Sequence, residues 1–112
     1  MTFDISRWER AVEEQDQKRE TERRRAFQKY AGALKDFFSH KRLKRAYLVG
    51  SILREGQFYP FSDIDIAVEG LEENSLQLGC ALEHLLERDV DLIELERCPF
   101  RDSIEKKGFR IL

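Results

Sequence analysis

A chain of 112 residues, 41% hydrophobic and 38% charged, has room for one domain with a real core and little for a second. No run approaches the roughly 18 consecutive apolar residues of a membrane span, and Met1-Thr2-Phe3-Asp4-Ile5 lacks the basic-then-apolar order of a signal peptide, which predicts a soluble cytoplasmic protein. The net charge of −2 is polarised: residues 1–46 carry 13 Lys+Arg against 8 Asp+Glu, and residues 47–112 carry 7 against 14, so the second part suits divalent cations and the first an anionic partner.

From Ile5 to His40 the sequence has no Pro and one Gly and is dense in good helix formers. A long helix is expected. Ala26, Phe27, Tyr30, Ala31, Leu34, Phe37 and Phe38 recur at helical spacing and describe a buried face. Glu13 to Arg25 contains no apolar residue and reads as a solvated stretch laced with pairs along the helix. Ahead of it, Ile5, Trp8 and Val12 form a small stripe, expected to pack within the chain, with docking on a partner as the alternative.

After the basic run Lys41-Arg42-Leu43-Lys44-Arg45, the segment Ala46-Tyr47-Leu48-Val49 reads as a buried strand ending at Gly50-Ser51. Ser51 is expected to cap a brief helical turn through Arg54, and Gly56 and Pro60 mark an irregular loop. The loop's Phe58, Tyr59 and Phe61 are expected to pack over their surroundings rather than to stack a base. Asp63-Ile64-Asp65-Ile66-Ala67-Val68 is a second strand, with the two aspartates on one face and the isoleucines on the other. Glu72-Glu73-Asn74-Ser75 opens a helix expected to turn Leu78, Leu82, Leu85 and Leu86 inward. Val90 to Leu95 is a third strand, Pro99 begins a short helix ending at Gly108, and Phe109 to Leu112 supplies an edge strand. The expectation is a mixed α/β (α+β) domain of three to four strands with helices mainly on one face: a helical extension over residues 1–40, then a domain over 41–112.

Two carboxylates at i and i+2 on a strand project side by side, an unfavourable arrangement unless a cation neutralises them. Hard ions such as Mg²⁺ prefer such ligands and take their remaining oxygens from water or substrate phosphate. Asp63 and Asp65 therefore read as a metal site, and Asp91 would complete a triad if its strand lies alongside. Two Mg²⁺ ions on three carboxylates would form the clamp of an in-line displacement. Gly50-Ser51, between strand and helical turn, offers free N–H groups and a hydroxyl to a triphosphate, and Arg54 a guanidinium to its oxygens. His40, His84, Cys80 and Cys98 fall in no zinc spacing and read as structural.

Together, Gly50-Ser51, Arg54, Ser62-Asp63-Ile64-Asp65 and Val90-Asp91-Leu92 resemble the nucleotidyltransferases of the DNA polymerase β superfamily, specifically the small MNT branch. The resemblance spans roughly Ala46 to Leu112, including Ser103 to Gly108, which is similar to that branch's terminal helix and turn. It implies a polymerase β-like fold, with Asp63, Asp65 and Asp91 as metal ligands and Gly50 and Ser51 holding the triphosphate. The loop between Ser51 and Asp63 is one residue longer than the usual spacing, and Glu55 stands where a Gly commonly follows the Arg; extra loop length costs little. The implied activity is transfer of AMP from ATP to a hydroxyl, and since small MNT proteins commonly act as antitoxins, to a tyrosine of a HEPN ribonuclease toxin. A module that neutralises a partner by contact alone, and transfer to a small molecule or RNA, which the basic run Lys41 to Arg45 permits, are the alternatives. A homo-oligomer is compatible with each.

Overall fold

The computed structural model describes residues 5–112; Met1 to Asp4, at the head of the expected 1–40 extension, lie outside the described residues. Helix α1 runs Ile5–Ser39. Only its second half has a buried apolar face, where Tyr30, Ala31, Leu34 and Phe38 are buried while Ala26, Phe27 and Phe37 pack at the margin. The stretch from Arg19 to Arg23 is held by polar contacts. Glu13 to Arg25 is not simply solvated, because Arg19, Glu20 and Arg23 turn onto the body, where Arg23 Nη1 donates to the Ile52 carbonyl at 2.9 Å. The stripe ahead of it does not pack within the described chain: Ile5, Trp8 and Val12 are 57%, 61% and 38% exposed. The projecting helix gives the molecule extents of 66 × 28 × 19 Å.

Strand β1, Arg45–Val49, is followed by a single 3-10 turn, Gly50–Leu53, and β2 spans Ile64–Glu69. Helix α2 covers Ser75–Leu86 and β3 Val90–Glu94. A 3-10 turn at Leu95–Arg97, helix α3 at Arg101–Lys107 and the two-residue strand β4, Phe109–Arg110, complete the chain. The sheet order is β3-β2-β1-β4. β1 is antiparallel to both β2 and β4, whereas β2 and β3 are parallel and therefore need a crossover, which α2 provides. Asn74 starts that helix by accepting from the amides of Leu76 and Gln77 at 2.9 and 3.2 Å, and Glu72 and Glu73 precede the cap rather than lying in the first turn. Leu78, Leu82 and Leu86 point inward; Leu85, expected with them, is 41% exposed at the margin of the stripe, where the main core ends.

Strand alternation gives the sheet two different faces. On one, Ala46, Leu48, Ile64, Ile66 and Val68 meet α1 and α2 in the main core. On the other, Tyr47, Val49 and Ala67 form a smaller cluster with Leu95 and Ile104 of the C-terminal segment. Two contacts fix α3 there. Its C-cap Gly108 is crowded by its own helix and by β1: a Cβ would stand 2.6 Å from the Ile104 carbonyl and 3.0 Å from Val49 Cγ1. Glu69, at the far end of β2, accepts from Arg45 Nη2 at 2.9 Å and from Arg101, which also donates to Glu105 at 2.9 Å. The helix starts two residues after Pro99, at Arg101, and ends before Gly108.

Candidate active site

Register decides what the second face carries. Asp65 is the Cα partner of Val49 on β1 and of Asp91 on β3. An in-register parallel pairing places equivalent positions of two strands on the same side, so Asp65 and Asp91 stand as neighbours on the face that α3 partly covers. Asp63 comes just before β2, exposed at its mouth, as is Asp91 at the sheet edge; Asp65 is half-buried between them. Burial lifts the Asp65 carboxyl above the ordinary carboxylate range, the charges of Asp91 and then Asp63 add to the rise, and Arg54 opposes it. All three aspartates thus share one field.

The strand-to-turn junction opposes them. Gly50 adopts φ +83°, a left-handed conformation that side chains rarely tolerate, and a Cβ there would stand 2.0 Å from Asp65 Oδ2. The missing side chain is what lets the turn and the carboxylate share the space. Ser51 lies inside the turn and does not cap it: the capping position is Val49, whose side chain makes no capping bond, because the turn already begins at Gly50. At its far end Arg54 N–H donates to the Ser51 carbonyl at 3.0 Å.

These elements enclose a cavity of about 450 Å³, lined by Gly50, Arg54, Asp65 and Asp91 from the sheet side and by Phe100, Ser103 and Lys107 from the C-terminal side. Of the six residues singled out in the sequence, the structure gathers these four around one space. Asp63 and Ser51 stand outside the lining, Asp63 acting on Asp65 through its charge. Among the described residues no three His, Cys, Asp or Glu side chains are arranged to cage an ion by themselves. The donor chemistry nonetheless fits Mg²⁺, which asks for one or two carboxylates and completes its shell with water and phosphate oxygens.

Two features had no part in the sequence reading. Lys107, in the last turn of α3, brings a cation into the cavity; a basic residue just before the Gly108 cap was the available signal. Arg88 lies behind the loop that delivers Asp63: its Nε donates to the Ser62 carbonyl at 2.7 Å, its Nη2 to the Tyr59 carbonyl, and its guanidinium covers the Phe58 ring at 4.3 Å. Within the loop, Ser62 Oγ accepts from Tyr59 N–H at 2.9 Å. Sequence separation hid this contact, since nothing in a pattern of residues links positions 26 and 29 apart. Phe58 is buried, whereas Phe61 is 83% exposed and stacks flat on Tyr59 with ring centroids 5.3 Å apart.

Residues 33–112 match the family model described as polymerase beta, nucleotidyltransferase. No curated protein sequence matches the chain. Among solved structures, a toxin–antitoxin crystal structure with AMP-PNP is similar at 24% identity and a TM-score of 0.59, over 73% of this chain and 72% of that one. A crystal structure of the MntA-HepT toxin–antitoxin is similar at 22% identity and a TM-score of 0.54, over 76% of this chain and 71% of that one. At these identities the likeness is one of fold.

Proposed function

The chain belongs to the polymerase beta nucleotidyltransferase family, and from that premise we propose that it is a Mg²⁺-dependent enzyme of the cytoplasm that transfers AMP from ATP to a hydroxyl, the acceptor being a tyrosine of a HEPN-type toxin. The observation that carries the catalytic part is the pairing of Asp65 with Asp91 across β2 and β3, on the face that Gly50 and Arg54 also border. The acceptor is inferred from the toxin–antitoxin assemblies that share the fold, one of them determined with AMP-PNP. In this reading residues 41–112 are the transferase domain and residues 1–40 a helical extension. No helix among the described residues is long and apolar enough to cross a membrane.

Each residue then has a task. Asp63, Asp65 and Asp91 would hold Mg²⁺, which when bound neutralises the carboxylates and the charge growing on the phosphoryl oxygens. Gly50, by lacking a side chain, lets the Asp65 carboxylate sit against the turn, and the turn's N–H groups together with the Ser51 hydroxyl bind the triphosphate. Arg54 and Lys107 bring positive charge to the β- and γ-phosphates and stabilise departing pyrophosphate. The apolar Val49, Leu53, Ile93 and Phe100 border the same cavity. The exposed Ile5, Trp8 and Val12 stripe supplies a docking element for the acceptor protein.

Incubation with labelled ATP, Mg²⁺ and the product of the adjacent reading frame tests the reading, with an increase of one AMP expected on a tyrosine of that neighbour. A complex that forms while none of the four nucleotides is transferred would sink it. In that case the contact-only module gains, and it further requires neutralisation that survives Asp63→Asn and Asp65→Asn.

A further inference from the structure

The side chain of α1 that grips the Gly50–Leu53 turn lies outside the segment that matches the family. That match begins at residue 33, ten positions beyond Arg23. Arg23 lies in the stretch of α1 without apolar residues, where no hydrophobic contact can set the helix against the body, so polar contacts must do so.

The Arg23 guanidinium is engaged on two sides. Ile52 is buried at 1% exposure, near the end of a turn too short to satisfy its own carbonyls, and its carbonyl accepts from Arg23 Nη1 at 2.9 Å. The other face of the same guanidinium is taken by Glu20: Arg23 Nε reaches Glu20 Oε1 and Oε2 at 3.1 and 3.0 Å, and Nη2 reaches Oε1 as well. The two side chains are only 16% and 15% exposed, unlike the open pair of Arg19 with Asp16 one turn earlier. A fork held on one side by a carboxylate has little freedom left on the other. Arg19 makes a second bridge, with its guanidinium 5.0 Å from the centroid of the Tyr59 ring. The helix thereby touches the segment between Gly50 and Asp63 at both ends, across a cavity of about 360 Å³ lined by Glu20, Arg23, Glu55 and Phe58.

We propose that Glu20 and Arg23 form a positioning pair that fixes the backbone of the Gly50–Leu53 turn for triphosphate binding, which makes the upstream part of α1 a working component of the nucleotide site. The inference rests on the reading of that turn as the phosphate cradle. Arg23 touches no substrate. It acts through the Ile52 carbonyl, two residues from Gly50, and what it sets is the direction of the turn's N–H groups. Those groups matter to the β- and γ-phosphates, so the pair discriminates between nucleotides that have them and nucleotides that do not.

The test compares ATP and AMP binding, with Mg²⁺, by calorimetry on the full chain as wild type, Arg23→Met, Arg23→Lys and Glu20→Gln, alongside amide hydrogen exchange without nucleotide. Arg23→Met is expected to weaken ATP about tenfold or more, as befits a lost charge-assisted hydrogen bond, to leave AMP within about twofold, and to speed exchange at the Arg54 and Gln57 amides that close the turn and its neighbour. Arg23→Lys should recover part of the ATP affinity, and Glu20→Gln should lose part of it. ATP affinity unchanged in Arg23→Met overturns the proposal, as does an equal loss of ATP and AMP that tracks a falling melting temperature, since support of the fold would then account for everything. A wild-type protein that binds no ATP overturns the phosphate-cradle reading itself, an outcome visible before any substitution is made.

Discussion

A single methyl group at Gly50 would stand 2.0 Å from the Oδ2 atom of Asp65, so the first residue of the turn and the half-buried carboxylate exclude any side chain between them. Gly50→Ala would have to displace one of the two, and its φ of +83° adds strain of about 1–3 kcal/mol. A lower melting temperature is expected, with transfer reduced by about 100-fold, the scale on which a displacement of about 1 Å disturbs a reacting geometry. Thermal unfolding and turnover of the same preparation check both; near-wild-type values would mean that the turn and Asp65 are not held as described.

Asp63 and Asp91 are exposed, and no packing depends on their charge. Asp63→Asn and Asp91→Asn should each change stability by no more than about 0.5 kcal/mol while lowering transfer on the order of a thousandfold. A variant that keeps half its activity removes that residue from the metal site.

Asp65 gives a pH dependence of definite sign in Mg²⁺-free buffer. Burial, then Asp91 and Asp63, raises its pKa in the folded state, so between the unfolded and folded values the native protein binds the extra proton. Stability from this group is therefore greatest below the ordinary carboxylate value and declines as pH rises through the raised one. Asp65→Asn removes the buried charge and with it the repulsion: it should melt higher than wild type at neutral pH, with the gap closing as pH falls, and be inactive throughout. Urea or thermal unfolding at several pH values reads this directly, and a gap that widens in acid would contradict the assignment.

Arg88→Ala deprives the Ser62 and Tyr59 carbonyls of their donor and uncovers Phe58. A loss of roughly 2–3 kcal/mol in urea unfolding is expected. Because Ser62 precedes Asp63, the Mg²⁺ concentration for half-maximal activity should rise as well. Equal stability of wild type and variant would dismiss the anchor.

Trp8 is 61% exposed on a helix segment with no core beneath it. Trp8→Ser should leave unfolding within about 0.5 kcal/mol of wild type and, if the stripe docks the acceptor, weaken that complex by about 2 kcal/mol, typical of a buried aromatic anchor. Titration of the two proteins decides it.

The local patterns proved the more readable part of this chain. Helical spacing from Ala26 to Phe38 and strict alternation from Asp63 to Ile66 each follow from a single period, and a single period needs no knowledge of the partner. The parallel pairing that makes Asp91 the neighbour of Asp65 was anticipated only as a condition, since register belongs to two strands at once. Pairing of Glu20 along the helix was legible, but Arg88, Lys107 and the hold of Arg23 on the Ile52 carbonyl were not, because their meaning lies in backbone carbonyls and walls brought close by folding. The same cause explains the errors: Ile5, Trp8 and Val12 have helical spacing with nothing opposite them among the described residues, and Leu85 follows the rule of its neighbours while the main core ends beside it.

The long axis of 66 Å has a practical consequence. The radius of gyration is 17.3 Å, against about 13 Å for a sphere-like chain of this length. A single copy will drag through solution like a larger particle and leave a sizing column ahead of compact standards of its mass. Elution position alone would therefore not separate an elongated single copy from a compact dimer, and the mass of the species in solution has to come from light scattering or sedimentation equilibrium, which do not depend on shape.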